Sequence, residues 1–341
     1  MSEFTVRPYR PGDEVGILEL FNGVFGEGNP SYEPRTLKTW QHIYGANPAG
    51  AEILVAEDEA GQLIGNYSAI AYHCSVRGER LRCAQAVDTC VAKEWRGSLR
   101  KNSVFVTMAR DYCEIFGETN EAYTNEFMFG LPNEKAFPVG TRIVGYKPVH
   151  CPMPSLVREF DRAWVDEMAR RAGDIEVLES DGSNAELQAL GALYEAHVNE
   201  VPLGIWKDAG HLAWRYRGWP EDPYRCLLAK RAGELVGALI YRLGWMGQPI
   251  VPLVDWIGPG GDEAALAGLL ARVGDITLAA GGDKLETWVT PAASQRPTLE
   301  AHGLFHQDSL FNLCIMVYSE LFDLPWAMDH WVLTMGDSDI Y

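Results

Sequence analysis

Asp88 and Glu126 are the carboxylates of this chain best placed for acid–base chemistry. Each is a charged residue inside an otherwise less polar stretch whose pattern predicts a strand. A carboxylate held in such surroundings can accept a proton from a bound reactant. A satisfied ion pair, or a position facing solvent, is the alternative interpretation for each of them. The surrounding elements must decide between these interpretations.

Part of the chain's pattern occurs twice. Residues 53–65 and 226–237 each run from an apolar stretch, through a polar turn ending in Ala-Gly, into a second apolar stretch that leads to a glycine. Trp40 and Trp214 lie upstream of the two segments. The pattern predicts that residues 53–70 and 226–241 form equivalent hairpins. A repeat of this length indicates a duplicated domain rather than a solenoid unit.

Length and composition agree with two globular domains, since 341 residues are about twice the usual domain size. The start has neither the basic lead nor the apolar core of a signal peptide, and no stretch approaches the roughly 20 apolar residues of a membrane span. The seven cysteines form no CxxC pair. We therefore expect no disulfide framework and no metal site, and we predict a cytoplasmic location.

The net charge of −18 argues against partners that are themselves polyanions. Binding to nucleic acid or to an anionic membrane needs clustered Lys and Arg, and the sequence has no long basic run of that kind. The acidity either serves solubility alone or attracts a cationic or amine-bearing substrate.

Strand and helix patterns alternate along the first half in the order strand, helix, three antiparallel strands, helix, strand, helix, strand. This order predicts a mixed α/β layer. Three segments within it are distinctive: Val-Arg-Pro-Tyr-Arg-Pro-Gly-Asp at 6–13, Val-Asp-Thr-Cys-Val-Ala-Lys-Glu-Trp-Arg-Gly at 87–97, and Gly-Leu-Pro-Asn-Glu-Lys-Ala-Phe at 130–137, followed by Gly145-Tyr146.

These segments resemble the first strand, the fourth strand with its pyrophosphate loop, and the exit of the fifth strand in the GNAT superfamily of acyl-CoA N-acyltransferases. The resemblance covers most of residues 4–150, with a weaker second copy from about 175 to 318. The chain resembles more closely the double-GNAT proteins often found near bacterial polysaccharide and natural-product gene clusters.

The resemblance implies acetyl-CoA or another acyl-CoA as co-substrate. In the family, the fourth strand splays from the fifth and pairs with the pantetheine, while the following loop presents N–H groups to the pyrophosphate. Carried over to this sequence, the cofactor-binding residues are Cys90, Val91, Arg96, Gly97, Ser98, Leu99, Arg100, Lys101 and Asn133.

The pyrophosphate loop departs from the family pattern, because Leu99 and Lys101 stand where glycine and glycine or alanine are usual. Their bulk would hinder the backbone from closing on a diphosphate. Arg96, Arg100 and Lys101 nevertheless place three cations on an acidic chain where the phosphates should lie. We expect acyl-CoA to bind there; a degenerate loop with solvated charges is the alternative.

The family's general acid is often a tyrosine, which would lie four residues before Gly145, where this chain has Thr141. Tyr146 is the substitute that we predict as the catalytic acid, with Tyr123 as a second possibility. Asp88 and Glu126 are the predicted bases. The catalytic residues implied by the resemblance are therefore Asp88, Glu126 and Tyr146.

In the second copy, residues 259–263 read Pro-Gly-Gly-Asp-Glu and bring two acids and no cation to the corresponding loop. Repulsion should keep a pyrophosphate away from it.

The predicted fold is α/β, with two tandem GNAT-like domains, each a mixed, mostly antiparallel sheet flanked by helices. The predicted domains are 1–150, which binds acyl-CoA, a degenerate copy at 151–318, and an aromatic tail at 319–341 that docks on the body.

The predicted function is transfer of an acetyl or other acyl group from acyl-CoA to an amine of a small molecule, without nucleic-acid or membrane partners. A catalytically silent GNAT-like scaffold or ligand-binding protein is one alternative, favoured by Leu99, Lys101 and Thr141. An aminoacyl-tRNA-dependent transferase is another, for which a basic groove is not evident. The acyl chain, the acceptor and the oligomeric state stay open.

Overall fold

The structure, a computed structural model, describes residues 3–29, 32–96, 103–117, 125–132, 134, 136–221, 223–244 and 250–340. The chain forms two compact units. Unit 1 contains Met1–His73, Leu81–Val149 and Phe311–Leu324. Unit 2 contains Cys74–Arg80, His150–Leu310 and Pro325–Tyr341.

The strands are β1 (Phe4–Pro8), β2 (Ala51–Asp58), β3 (Leu63–Val76), β4 (Glu79–Val91), β5 (Phe127–Gly130), β6 (Lys147–His150), β7 (Pro154–Glu159), β8 (Glu176–Glu179), β9 (Leu203–Ile205), β10 (Tyr224–Arg231), β11 (Glu234–Arg242), β12 (Ile250–Ile257), β13 (Lys284–Trp288), β14 (Phe305–Asp308) and β15 (Leu313–Val317). The helices are α1 (Asp13–Gly26), α2 (Leu37–Trp40), α3 (Val104–Phe116), α4 (Ala136–Val139), α5 (Arg162–Ala172), α6 (Asn184–Ala196), α7 (Ala209–Leu212), α8 (Glu263–Ala279), α9 (Arg296–Ala301) and α10 (Leu324–His330). Across the described residues, no helix is long and apolar enough to cross a membrane.

The sheet of unit 1 has the order β1-β2-β3-β4-β5-β15-β6. β2 pairs antiparallel with both β1 and β3, whereas β4 and β5 run parallel. Alternate residues of β2 and β3 point to opposite faces. Leu54 and Tyr67, which pair across these strands, face α3 and pack with its Met108 and Tyr112. The apolar side of α3 thereby covers one face of the sheet.

Gly65 explains why the repeated pattern needs a glycine in the first hairpin. A Cβ at this position would lie 2.8 Å from Cγ1 of Val104 and 2.9 Å from Cε of Met108. The absence of a side chain lets α3 approach β3 closely. Gly237 has the matching place in the second hairpin, where a Cβ would lie 2.7 Å from the indole of Trp256.

The sheet of unit 2 has the order β8-β10-β11-β12-β13-β7-β14, read from the β8 edge. β10 and β11 form an antiparallel hairpin in the second and third places, as β2 and β3 do in unit 1. The parallel pair of β12 with β13 matches that of β4 with β5. The two predicted hairpins thus occupy equivalent places, and the predicted fold class is confirmed.

The sixth strand of each sheet comes from an unexpected part of the chain. In unit 1 it is β15, which pairs antiparallel with β5, and in unit 2 it is β7, which pairs antiparallel with β13. Unit 2 also contains the turn between β3 and β4, whose residues 74–76 pair with β9. The predicted domain boundaries after residues 150 and 318 stay predictions.

Helices α5 and α8 pack against each other and cover one face of the sheet in unit 2. Val165 and Met168 of α5 and Leu266 and Leu270 of α8 are buried in one apolar cluster with strand residues such as Leu239. A Cβ at Gly274 would lie 2.8 Å from Cγ2 of Val165, so the two helices approach closely at that point.

His302 is a buried histidine of this unit, with 3% of its surface exposed. Its Nε2 lies 3.0 Å from the carbonyl oxygen of Glu263, and Trp164 donates to the carbonyl oxygen of His302 at 2.9 Å. Burial, together with the charge of Arg171, lowers the pKa of His302 although the Glu263 carbonyl opposes this. The folded protein therefore holds this imidazole in its neutral form.

The unfolded chain binds a proton at His302 more readily than the folded protein does. The contribution of the neutral His302 side chain to the stability of the fold is therefore complete above about pH 6.5 and is lost as the pH falls below that value. We expect the melting temperature to decrease between pH 7.5 and pH 5.5, before most carboxylates titrate, and His302→Gln to flatten this slope. His306→Gln, at an exposed position, is the matched control. An identical slope in His302→Gln and the parent protein would contradict the prediction.

Candidate functional site

The candidate site lies where β4 separates from β5 in unit 1. The two strands pair over three positions, from Cys83 with Phe127 to Gln85 with Phe129, and β4 then continues to Val91. Asp88 is the third residue beyond the last pair, and its φ of 51° places it in the left-handed region. A non-glycine residue there is uncommon and marks a local distortion of the strand.

The carboxylate of Asp88 is held by two side chains. Arg35 donates to its Oδ2 from Nη1, and the hydroxyl of Tyr44 donates to the same oxygen at 2.5 Å. The amide of Asn66 donates to the carbonyl oxygen of Asp88 at 2.9 Å. The Asp88 side chain is 10% exposed. The ion pair that the sequence offered as one alternative is therefore present.

Arg35 and Tyr44 reach Asp88 from the segment after α1. The side chain of Asn22 fixes this segment, because it accepts from the backbone N–H of Arg35 at 2.9 Å and donates to its carbonyl oxygen at 3.0 Å. Thr36 then caps α2, and Tyr44 follows in the π-helical turn Gln41–Gly45. Burial, with the negative charge of Asp88 close by, raises the pKa of Tyr44. The phenol therefore stays protonated and donates to the carboxylate.

Tyr146 lies on the other face of the sheet. Its hydroxyl is 2.8 Å from that of Tyr67, on the face that α3 covers, and contacts Sδ of Met128. Tyr44 contacts Ser68, which follows Tyr67 in β3 and therefore points to the opposite face of the sheet. Burial raises the pKa of Tyr146, so its hydroxyl remains a proton donor. The structure does not bring Tyr146 into contact with Asp88, and its role as the acid stays a prediction.

Glu126 directly precedes β5, at the start of the parallel pair, and its backbone N–H donates to the carbonyl oxygen of Arg82 at 2.8 Å. Asp88 lies six residues further along β4 than Arg82, which is about 20 Å at the rise of a strand. The structure therefore does not bring the two predicted bases together. The catalytic role of Glu126 stays a prediction.

Among the predicted cofactor-binding residues, Cys90 is buried, and burial raises the pKa of its thiol to about 12. Val91 ends β4, and its carbonyl oxygen accepts from Nε of Arg96 at 2.6 Å. Arg96 also lies 3.5 Å from the carboxylate of Glu27, which Lys93 contacts as well. The remaining predicted positions lie outside the described residues: Gly97, Ser98, Leu99, Arg100, Lys101 and Asn133.

A groove with a volume of about 500 Å³ adjoins α3 on the Tyr146 face of unit 1. Val106, Cys113, Ile143 and Met316 contribute to its apolar wall, and Arg110 lies among the residues that line it. Thr141, at the position where the family has its tyrosine, donates its hydroxyl to the carbonyl oxygen of Phe137 at 2.9 Å.

Unit 2 contains a second network of the same kind. Lys207 donates to Oδ1 of Asp255 at 2.6 Å, and the hydroxyl of Tyr216 donates to Oδ2 at 2.6 Å. Asp255 is the third residue of β12 beyond its last parallel pair, the place that Asp88 has on β4. We call both sets of three residues the cation–aspartate–tyrosine networks.

The loop before α8, which corresponds to the pyrophosphate loop, is closed by the chain itself. The carboxylate of Glu200 accepts from the backbone N–H of Gly260 at 3.0 Å, where an anion would bind. Asp262 caps α8 and pairs with Arg231 at 2.8 Å.

The sequence pattern alone did not predict the two networks or the contact of Glu200 with this loop. One signal was available, because a cation and a tyrosine nine residues apart occur at Arg35 and Tyr44 and again at Lys207 and Tyr216.

Residues 5–118, about a third of the chain, match the family model of the acetyltransferase (GNAT) domain. This segment contains the first network and the strand that separates from β5. The match confirms the prediction that the chain carries an acyl-CoA N-acyltransferase domain of the GNAT type. No curated protein matches the chain.

The chain shares its fold with solved structures, among them these three. A probable N-acyltransferase of Enterococcus faecalis V583 is 12% identical with a TM-score of 0.62, covering 93% of this chain and 73% of its own. A GCN5-related N-acetyltransferase of Anabaena variabilis ATCC 29413 is 12% identical with a TM-score of 0.64 and the same coverage, 93% and 73%. The N-myristoyltransferase of Saccharomyces cerevisiae, solved with bound myristoyl-CoA, is 13% identical with a TM-score of 0.57, covering 94% and 80%. At these identities the likeness concerns the fold.

Proposed function

We propose that this protein transfers an acyl group from acyl-CoA to an amine of a small molecule, at the first network of unit 1. The observation that carries the proposal is the position of Asp88. This carboxylate lies beside the point where β4 leaves β5, within the segment that matches the acetyltransferase domain. Strand backbone freed in this way can pair with the pantetheine of a bound acyl-CoA.

The chemistry needs a neutral amine and a good leaving group. The substrate ammonium gives one proton to Asp88, directly or through water, and the amine lone pair then attacks the thioester carbonyl carbon. The C–N bond forms as the C–S bond breaks. As the amide forms, its nitrogen loses a second proton to water. Coenzyme A leaves as a thiolate, which takes a proton from water or from Tyr146. Asp88 can still accept a hydrogen bond from the substrate ammonium. A carboxylate offers about four lone-pair sites, and both Arg35 and Tyr44 donate to the same oxygen, Oδ2.

Arg96, together with Arg100 and Lys101, would hold the phosphates of the coenzyme. We expect acetyl-CoA to bind the parent protein in calorimetry, and the triple replacement of these cations by Ala to weaken binding at least about tenfold, since each charge-assisted contact is worth a factor of that order. Arg110→Ala, on the exposed side of α3, is the matched control. Unchanged affinity in the triple variant would place the coenzyme elsewhere.

We propose further that unit 2 does not bind acyl-CoA, because Glu200 already uses the N–H of Gly260 and adds negative charge. The duplicated sheet order and the two networks favour descent of both units from one GNAT-like domain.

A cytoplasmic location, and the lack of nucleic-acid and membrane partners, belong to the proposal on the grounds of composition and charge. A catalytically silent scaffold is the alternative, favoured by Leu99, Lys101 and Thr141.

A further inference from the structure

The second network is covered by the chain's own C-terminal segment. The side chains of this segment that contact the network show which chemical groups such a network can bind. The turn of residues 334–337 lies on Lys207, Asp255 and Tyr216, and every residue in it is buried. We call this segment the tail turn. The first network has the same three positions in unit 1. The covered network can therefore serve as a guide to the ligand of the open one.

The tail turn presents a carboxylate and a hydroxyl to the network. The carboxylate of Asp337 lies 3.1 Å from Nζ of Lys207, which therefore bridges two carboxylates. The hydroxyl of Thr334 lies 3.1 Å from Nζ of Lys207 and 3.1 Å from Oδ1 of Asp255. The cation of the network thus binds a second carboxylate besides its own aspartate.

The contact between the tail turn and the network is close. A Cβ at Gly336 would lie 2.0 Å from the hydroxyl oxygen of Tyr216 and 3.1 Å from Oδ2 of Asp255. The tail turn therefore needs glycine at position 336. The side chains of Lys207 and Asp255 are 6% and 0% exposed.

The first network is more open, since the side chains of Arg35 and Asp88 are 22% and 10% exposed. Arg35 stands where Lys207 stands, directly before the residue that caps the next short helix. A guanidinium has five N–H donors in a planar fork and matches a carboxylate better than an ammonium does. Asp88 supplies the opposite charge for an amine at the same place.

We propose that the acceptor carries a carboxylate beside its amine, as an amino acid does, and that Arg35 binds this carboxylate while Asp88 receives the amine. The carboxylate takes the place relative to Arg35 that Asp337 takes relative to Lys207. This inference rests on the proposed function of unit 1, and it specifies the class of acceptor. Arg35 is then a residue that determines specificity.

Matched pairs of acceptors test this inference in the full-length protein. Each pair is an amino acid and the amine that lacks its α-carboxylate: phenylalanine and phenethylamine, lysine and cadaverine, glutamate and 4-aminobutyrate. With acetyl-CoA as donor and coenzyme A release as the signal, we expect kcat/KM to favour the α-carboxylate member at least about tenfold in the pair that is turned over. 3-Phenylpropionate, which has a carboxylate and no amine, should compete with the acceptor.

Equal or better turnover of the members without the α-carboxylate would overturn this inference and leave the proposed transferase function intact. If no member of any pair is acylated, the proposed function and this inference fail together. Arg35→Gln should reduce the preference to about one, and Arg35→Lys should keep part of it because a cation remains. Arg110→Gln is the control that should keep the full preference. A preference that survives in Arg35→Gln would overturn the role of Arg35.

Discussion

Replacing Lys207 with Met should lower the free energy of unfolding by about 3–5 kcal/mol. Lys207 is the cation between two carboxylates that are themselves buried, with Asp255 2% and Asp337 1% exposed. Burial alone would lower the pKa of Lys207, but the charges of Asp255 and Asp337 outweigh it and raise that pKa. The ammonium is therefore charged, and its removal leaves two buried carboxylates facing each other.

Urea denaturation followed by tryptophan fluorescence measures this loss. Arg272→Met is the matched control, because Arg272 pairs with Glu179 at 2.9 Å on the surface of the same unit. An exposed pair of this kind contributes at most about 1 kcal/mol. A loss in Lys207→Met no larger than that of the control would show that the second network does not stabilise unit 2.

The double variant Lys207→Met, Asp337→Asn separates the loss of a charge from the loss of packing. Burial raises the pKa of Asp337, so this carboxylate is the one that is costly to leave ionised without Lys207. Asp255 keeps its bonds from Tyr216 and from Thr334 in the double variant. We expect the double variant to be more stable than Lys207→Met, and additive losses would contradict the coupling.

The sequence was informative about the hairpins, because their apolar stretches, Ala-Gly turns and terminal glycines are local features. Gly65 and Gly237 are required by close neighbours in both units, which is why the repeat is visible at these points. Trp40 and Trp214 both lie upstream of the hairpins, but they do not hold equivalent places. Counting from the starts of α2 and α7, Trp40 corresponds to Leu212, and Tyr44 corresponds to Tyr216.

The partners of Asp88 could not be predicted from periodicity. Arg35 and Tyr44 are 53 and 44 residues away in sequence and reach Asp88 from a loop and a π-helical turn. Periodicity identifies a strand but does not identify which loop crosses its end. The place of β15 in the sheet of unit 1 escaped for the same reason, since β15 and β5 are joined only by pairing over a long separation.

Replacing Asp88 with Asn should reduce kcat/KM for the amine acceptor by about a hundredfold, the lower range of what a positioned general base contributes. Asn keeps the size of the side chain and can still accept from Tyr44, so the loss reports the missing charge and basicity. Glu126→Gln is the paired test. Because Glu126 lies at the far end of the parallel pair, we expect Asp88→Asn to have the larger effect.

The pH profile of the parent protein provides a second readout of the same chemistry. We expect kcat/KM to rise through one ionisation, that of the amine or its base, with no descending limb below about pH 9. Tyr146 would not impose such a limb, because burial raises its pKa. A thiol with a pKa of about 8.5 also leaves without much help near neutral pH.

Three outcomes distinguish the interpretations of this site. A loss of at least about tenfold in Asp88→Asn, with unchanged affinity for acetyl-CoA, assigns the proton transfer to Asp88. A comparable loss confined to Glu126→Gln would move the base to the start of β5 and detach catalysis from the first network. If neither variant falls by about tenfold, both assignments are wrong. A silent scaffold, in which Arg35, Tyr44 and Asp88 serve packing as their counterparts in unit 2 do, then accounts better for the network.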